Sequence, residues 1–144
     1  MARNILAVVI GYISIFFFVF VTFTLLYLAL GPTQTFVPGT FDVTMTWVVP
    51  SVALSIFCGI AGGFICAKIG ADSRAVTWLA VTVFVLGILM ALPMIFSAPP
   101  SGIRDNNLAN MEAMMQARQP LWVAVVNPII GALSVLIGGT SAKK

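Results

Sequence analysis

Residues 5–30 read ILAVVIGYISIFFFVFVTFTLLYLAL, 26 consecutive positions without a charged side chain. A helix rises 1.5 Å per residue, so about 20 apolar residues cross a hydrocarbon core ~30 Å thick. The run exceeds that length. Its many Val, Ile and Phe residues favour strands when taken singly. A barrel strand, however, has about 9–11 residues of alternating polarity, and nothing alternates here. The stretch therefore predicts a membrane-spanning helix. Arg3 ahead of it gives the look of a secretion signal, but a signal's apolar part covers only about 7–15 residues. The expectation is an uncleaved anchor.

Three more apolar stretches lie downstream: 47–69, interrupted only by Lys68 near its end, 76–96, and 121–138, bounded by Pro120 and Gly138-Gly139. The predicted fold class is all-α: a polytopic membrane protein, a four-transmembrane-helix bundle forming one domain over 1–144. The connections are outer loops 31–46 and 97–120 and an inner loop 70–75, tight enough to make spans two and three antiparallel neighbours. Composition agrees. The chain is 60% hydrophobic and 8% charged, with mean hydropathy +1.11, whereas soluble domains have about 45–50% apolar and about 25% charged residues. That excludes a soluble enzyme, a nucleic-acid-binding module, a disordered tail and a secreted disulfide scaffold. The net charge of +3 comes from seven scattered Lys and Arg residues without a basic patch, so no nucleic-acid partner is expected.

Those positive residues also orient the chain. With the N-terminus inside, Arg3, Lys68, Arg74, Lys143 and Lys144 fall on the cytoplasmic side, against Arg104 and Arg118 outside. The positive-inside rule then puts both termini in the cytoplasm. Tyr27, Trp47, Trp78 and Trp122 sit near span ends, where interface anchors belong.

In the first outer loop, Pro38-Gly39 between two β-prone runs predicts a turn of type II, with a small hairpin around it. Phe36 and Phe41 are expected on the membrane interface or on a partner. The second outer loop opens with the helix breaker Pro99-Pro100. It then carries Leu108, Met111 and Met115 at helical spacing, with Asp105 or Asn106 as cap. A short outer amphipathic helix lying on the leaflet is the expectation.

Span two carries two neighbouring stripes of small residues. One is Gly59, Gly63 and Ala67; the other is Cys58, Gly62, Cys66 and Gly70. Gly131, Ser134 and Gly138 repeat the idea in span four. Small residues let backbones approach closely, which in lipid replaces the missing hydrophobic drive between helices. Packing within one bundle is the plain explanation, and an interface with a partner the sharper one. Cys58 and Cys66 lie ~12 Å apart along one helix, too far for a disulfide, whose Cα atoms must come within about 7 Å.

Charged groups at mid-membrane persist mainly for function, and every charge here lies at a span end or in a loop. The polar groups inside spans are Ser14, Thr22, Thr24, Ser51, Ser55 and Asn127, with Pro50, Pro93 and Pro128 freeing backbone carbonyls. Asn127 beside Pro128 is the first choice for a functional polar residue, against the plainer reading of a kink satisfied by its neighbours. Met111, Met114 and Met115 are soft thioethers suited to Cu(I), but without His or Cys beside them they read first as apolar filler. No metal site and no cofactor is expected.

Known four-span families are tested by their residues. Small multidrug exporters use a glutamate in span one, which has no acid here. Claudin-like proteins need a disulfide in a large first outer loop, and thiol-oxidising quinone enzymes need outer-loop cysteine pairs; both cysteines here are in span two. The layout, with Ala61-Gly62-Gly63-Phe64-Ile65-Cys66-Ala67 closing span two, resembles uncharacterised small four-helix bacterial inner-membrane proteins. That resemblance implies a multi-pass protein of the bacterial inner (cytoplasmic) membrane and carries no active site. The functional expectation is a non-catalytic accessory or structural subunit, packing against other membrane helices or copies of itself within the lipid bilayer. The alternative is a small homo-oligomeric transporter or channel. Catalysis is not expected, because His is absent and Asp42, Asp72, Asp105 and Glu112 form no evident pair.

Overall fold

The computed structural model describes residues 1–96 and 110–142. Four long helices carry the fold: α1 (Ala2–Thr35), α2 (Met45–Ile69), α3 (Arg74–Phe96) and α5 (Leu121–Ser141), with a short α4 (Asn110–Gln116) between the last two. Each long helix is long and apolar enough to cross a membrane, the pattern of a multi-pass all-α bundle. The helix α1 runs past the expected 5–30 to Thr35, and the other long helices lie over 47–69, 76–96 and 121–138. The Pro99-Pro100 breaker, Asp105, Asn106, Leu108, Lys143 and Lys144 lie outside the described residues.

The first helix breaks at Gly31. Gly31 adopts φ 70°, ψ 169°, a region that essentially only glycine occupies. Pro32, which suits the first turn of a helix, then starts one more turn in a new direction. The Pro38-Gly39 turn also forms, with Gly39 at φ 74° and Thr40 N–H donating to the Val37 carbonyl at 3.1 Å. The hairpin around it is reduced to isolated bridges. Phe36 pairs with Val43, and Asp42 pairs with Arg118 from the segment after α4.

Contacts order the long helices around the bundle as α1, α2, α5, α3. The expected pairing of spans two and three is corrected here. The turn makes α2 and α3 antiparallel, but α2 packs against α1 and α5, and meets α3 little. A tight turn fixes only where two helix ends lie; the glycines of α2 fix what its faces meet. A Cβ on Gly59 would lie 2.7 Å from Ser134 Cβ, and one on Gly63 would overlap the Val135 carbonyl. These contacts seat α5 parallel to α2. A Cβ on Gly62 would strike Ile15 and lie 3.0 Å from the Gly11 carbonyl, so the second stripe faces α1.

Two buried clusters close the bundle. At the end holding the termini, Ala7, Cys66, Ala75, Val76, Leu79, Ala80 and Val135 pack together, most of them fully buried. At the loop end, Tyr27, Phe36, Trp47, Val48, Ala113 and Val123 form a plug, with Tyr27–Phe36, Tyr27–Trp47 and Phe23–Trp47 rings meeting edge to face at 5.7–6.5 Å. Two expectations change as a result. Phe36, Trp47 and Tyr27 are core residues rather than interface anchors, because the Gly31 break swings Phe36 back onto the ring pair. The short helix α4 docks on this plug through buried Ala113, while Met111 and Met115 stay exposed.

Candidate functional site

Between the two clusters lies a cavity of about 370 Å³, a cleft open on one side of the bundle rather than an enclosed void. All four long helices contribute to it. Ile15 and Val19 come from α1, Ser55 and Gly59 from α2, Gly87, Met90 and Ala91 from α3, and Ala124, Asn127, Pro128 and Gly131 from α5. Its cause is visible in the sequence once the helices are assembled. Glycine and alanine face inward from α2, α3 and α5 at the same level, and no large side chain from α1 fills the space. It lies beside the gap between α1 and α3, which touch each other far less than the other adjacent pairs do. Exposed Met90 stands at its edge.

Most polar groups inside the spans are satisfied by their own helices. Ser14 donates to the Ile10 carbonyl, Thr22 to Phe18, Ser51 to Val48, Ser55 to Ser51 and Ser134 to Ile130, all at 2.7–2.9 Å. Such bonds let hydroxyls enter lipid-buried helices cheaply. Asn127 differs. Among the described residues, its Oδ1 is the one buried side-chain oxygen or nitrogen without a hydrogen-bond partner. Pro128 beside it has no N–H to give the Ala124 carbonyl, and it packs on Gly87, where a Cβ would sit 2.9 Å from Pro128 Cβ.

The small-residue positions separate by partner. Gly59 and Gly63 meet α5, and Gly138 meets α2, where an added Cβ would overlap the Ile60 carbonyl. Gly131 faces Val83 of α3 at 3.1 Å, and Ala67 packs beside the terminal cluster. Every one of these contacts is inside the chain. The methionines do not converge. Met114 lines a small crevice with Tyr27 and Trp47, whereas Met111 and Met115 are exposed. Among the described residues no group of three or more His, Cys, Asp or Glu is placed to hold a metal ion. Cys58 and Cys66 are free and buried, with Cys58 Sγ 3.7 Å from Thr22 Oγ1 on α1.

One polar cluster has little trace in the sequence. Asn4 Nδ2 donates to Asp72 Oδ1 at 3.0 Å, and Asn4 Oδ1 accepts the Ala71 N–H at 2.9 Å. Asp72 Oδ1 also accepts the Arg74 N–H, and Arg3 Nε donates to the Ile69 carbonyl. This clamp ties the start of α1 to the α2–α3 turn. Its only sequence signal is an amide just before the first span and an acid in the turn. Comparison with known proteins finds no matching family model, no matching curated protein and no matching solved structure.

Proposed function

We propose that the protein is a non-catalytic integral membrane subunit, which acts through its lateral contacts within the bilayer, with other membrane helices or with copies of itself. The observation that carries this reading is that both ends of the bundle are closed. Leu79, Cys66 and Val135 are fully buried at one end, and Phe36, Val48 and Ala113 are almost fully buried at the other. A single chain sealed in this way offers no continuous path, which argues against a pore through one copy. Its extramembrane parts are small, and the acids Asp42, Asp72 and Glu112 stand apart, with Asp72 engaged by Asn4. The glycine stripes, which in sequence alone suit a partner interface, are taken up internally. The surface left for a partner is therefore the outward apolar one, including Phe16, Phe17 and Phe57. The distribution of Lys and Arg supports cytoplasmic termini, and the layout supports a bacterial inner membrane.

The test is extraction in a mild detergent followed by native mass spectrometry. A complex larger than the single chain is expected, and a lone monomer under conditions that preserve other membrane assemblies would overturn the reading. Asn127 and the cavity favour a second reading, a transporter formed by several copies. It predicts solute flux in proteoliposomes that falls for Asn127→Leu, and unchanged flux would remove the residue from any such path.

A further inference from the structure

The cavity at the middle of the bundle has a chemical selectivity that a packing role does not require. Its volume, about 370 Å³, is near the lower end of the range for small-molecule sites. It corresponds to the bulk volume of roughly a dozen waters at ~30 Å³ each, and each water would need two to four polar partners. The polar side chains on its wall are Ser55, Gln119 and Asn127. That is too few to hold so much water, so most of the space suits an apolar body.

The polar groups present are unbalanced. Ser55 has already given its proton to the Ser51 carbonyl, leaving its oxygen to accept. The Ala124 carbonyl has lost its helical donor to Pro128. Asn127 Oδ1 accepts from nothing. In its present orientation that oxygen is buried in the wall. Rotation about the terminal torsion of asparagine, which is soft, exchanges the places of Oδ1 and Nδ2 and so turns the acceptor, in place of the donor, toward the cavity. The amides of Gln119 and Asn127 bring N–H donors as well, so what sets the wall apart is one buried acceptor left unpaired; among the described residues no ionisable side chain lines it. An orphaned buried acceptor gains most from a ligand that brings a proton.

We propose that this cavity binds an uncharged apolar molecule bearing a hydroxyl group, an alcohol or a phenol, which donates its O–H to Asn127 and enters from the bilayer between α1 and α3. The proposal is independent of the accessory-subunit reading, because a sealed bundle can hold such a molecule whether or not it joins an assembly.

The test uses the full chain in lipid nanodiscs, with 4-butylphenol as probe and 4-butylanisole, its methyl ether, as the analogue without a donor. Saturable binding of the phenol above that of empty nanodiscs is expected, with the ether about tenfold weaker. In Asn127→Leu the two should bind alike. A diazirine-bearing phenol should label Ala91 or Met94 on the cavity wall in preference to Phe57 and Met90, which are exposed on the outer surface; this measurement stands even if the variant does not fold. Equal binding of phenol and ether by the unaltered protein, non-saturable uptake, discrimination that survives in Asn127→Leu, or labelling centred on Phe57 would each overturn the proposal.

Discussion

The half of the bundle near the termini and the half near the loops are held by opposite uses of volume. Near the termini, glycines bring backbones together: Gly63 lies on the Val135 carbonyl, and Gly138 on the Ile60 carbonyl. Near the loops, large rings fill a wider space, with Trp47 packed edge to face against both Phe23 and Tyr27. In lipid, helices gain no hydrophobic drive from meeting one another, so close packing must do the work. One half reaches it by removing side chains and the other by supplying them. Where the two regimes meet, at the level of Gly59, Gly87 and Gly131, neither is complete and the cavity remains.

This contrast can be broken by moving volume the wrong way. The largest effect is expected for Gly63→Leu. Its side chain has backbone rather than a flexible neighbour in its way, and forced overpacking of this kind costs about 3 kcal/mol or more. Unfolding in mixed micelles of sodium dodecyl sulfate and dodecyl maltoside, followed by circular dichroism, would measure it. Trp47→Ala removes volume from the other half. Truncating a buried Trp costs about 3 kcal/mol or more, to which its two aromatic pairs contribute about 1 kcal/mol each, with hydrogen exchange rising over residues 36–48 and α4 rather than around Gly63. A loss of protection spread evenly over both halves would show that the bundle does not divide in this way.

The clamp at the terminal end sharpens the comparison further. Asn4→Ala removes one hydrogen bond to a carboxylate and one from a backbone N–H. It is expected to cost about 1–2 kcal/mol and to speed exchange at Ala71. The smallest effect has the opposite sign. Asn127→Leu replaces an amide whose oxygen is unsatisfied, so unliganded protein should gain up to about 1 kcal/mol in the same assay. A loss of similar size would mean that Asn127 is a structural residue.

Much of this arrangement is legible in particular residues of the sequence. The spans follow from where the charges fall, and the turn from Pro38-Gly39; the break at Gly31 is seen only in the structure. The two stripes on α2 are legible as stripes, because period and residue size are local properties. Which helix each stripe meets is not local. It depends on α5 lying parallel to α2, whereas the short α2–α3 turn points to a different neighbour. Trp47 and Tyr27 look the same in sequence whether they face headgroups or each other; the kink at Gly31 decides between the two. Asn127 stands out as the one amide inside a span. The cavity around it does not, since it is a deficit of volume shared among several helices that no single segment records.

The small-residue faces are satisfied within one chain. A Cβ at Gly11 would lie 3.0 Å from Cys66 Cβ and 2.8 Å from Leu79 Cδ2, so the helices must part by about half an ångström, and the flexible end of Leu79 must shift, to reach the ~3.5–4.5 Å of a disulfide. In a Cys58→Ala background, the variant Gly11→Cys leaves one pair of thiols across the α1–α2 contact. After oxidation in the membrane with copper phenanthroline, the account predicts a cross-linked monomer, two hydrogens lighter than the reduced chain. A product of twice the chain mass, with the monomer still carrying free thiols, would mean that these faces meet between copies, and would contradict it.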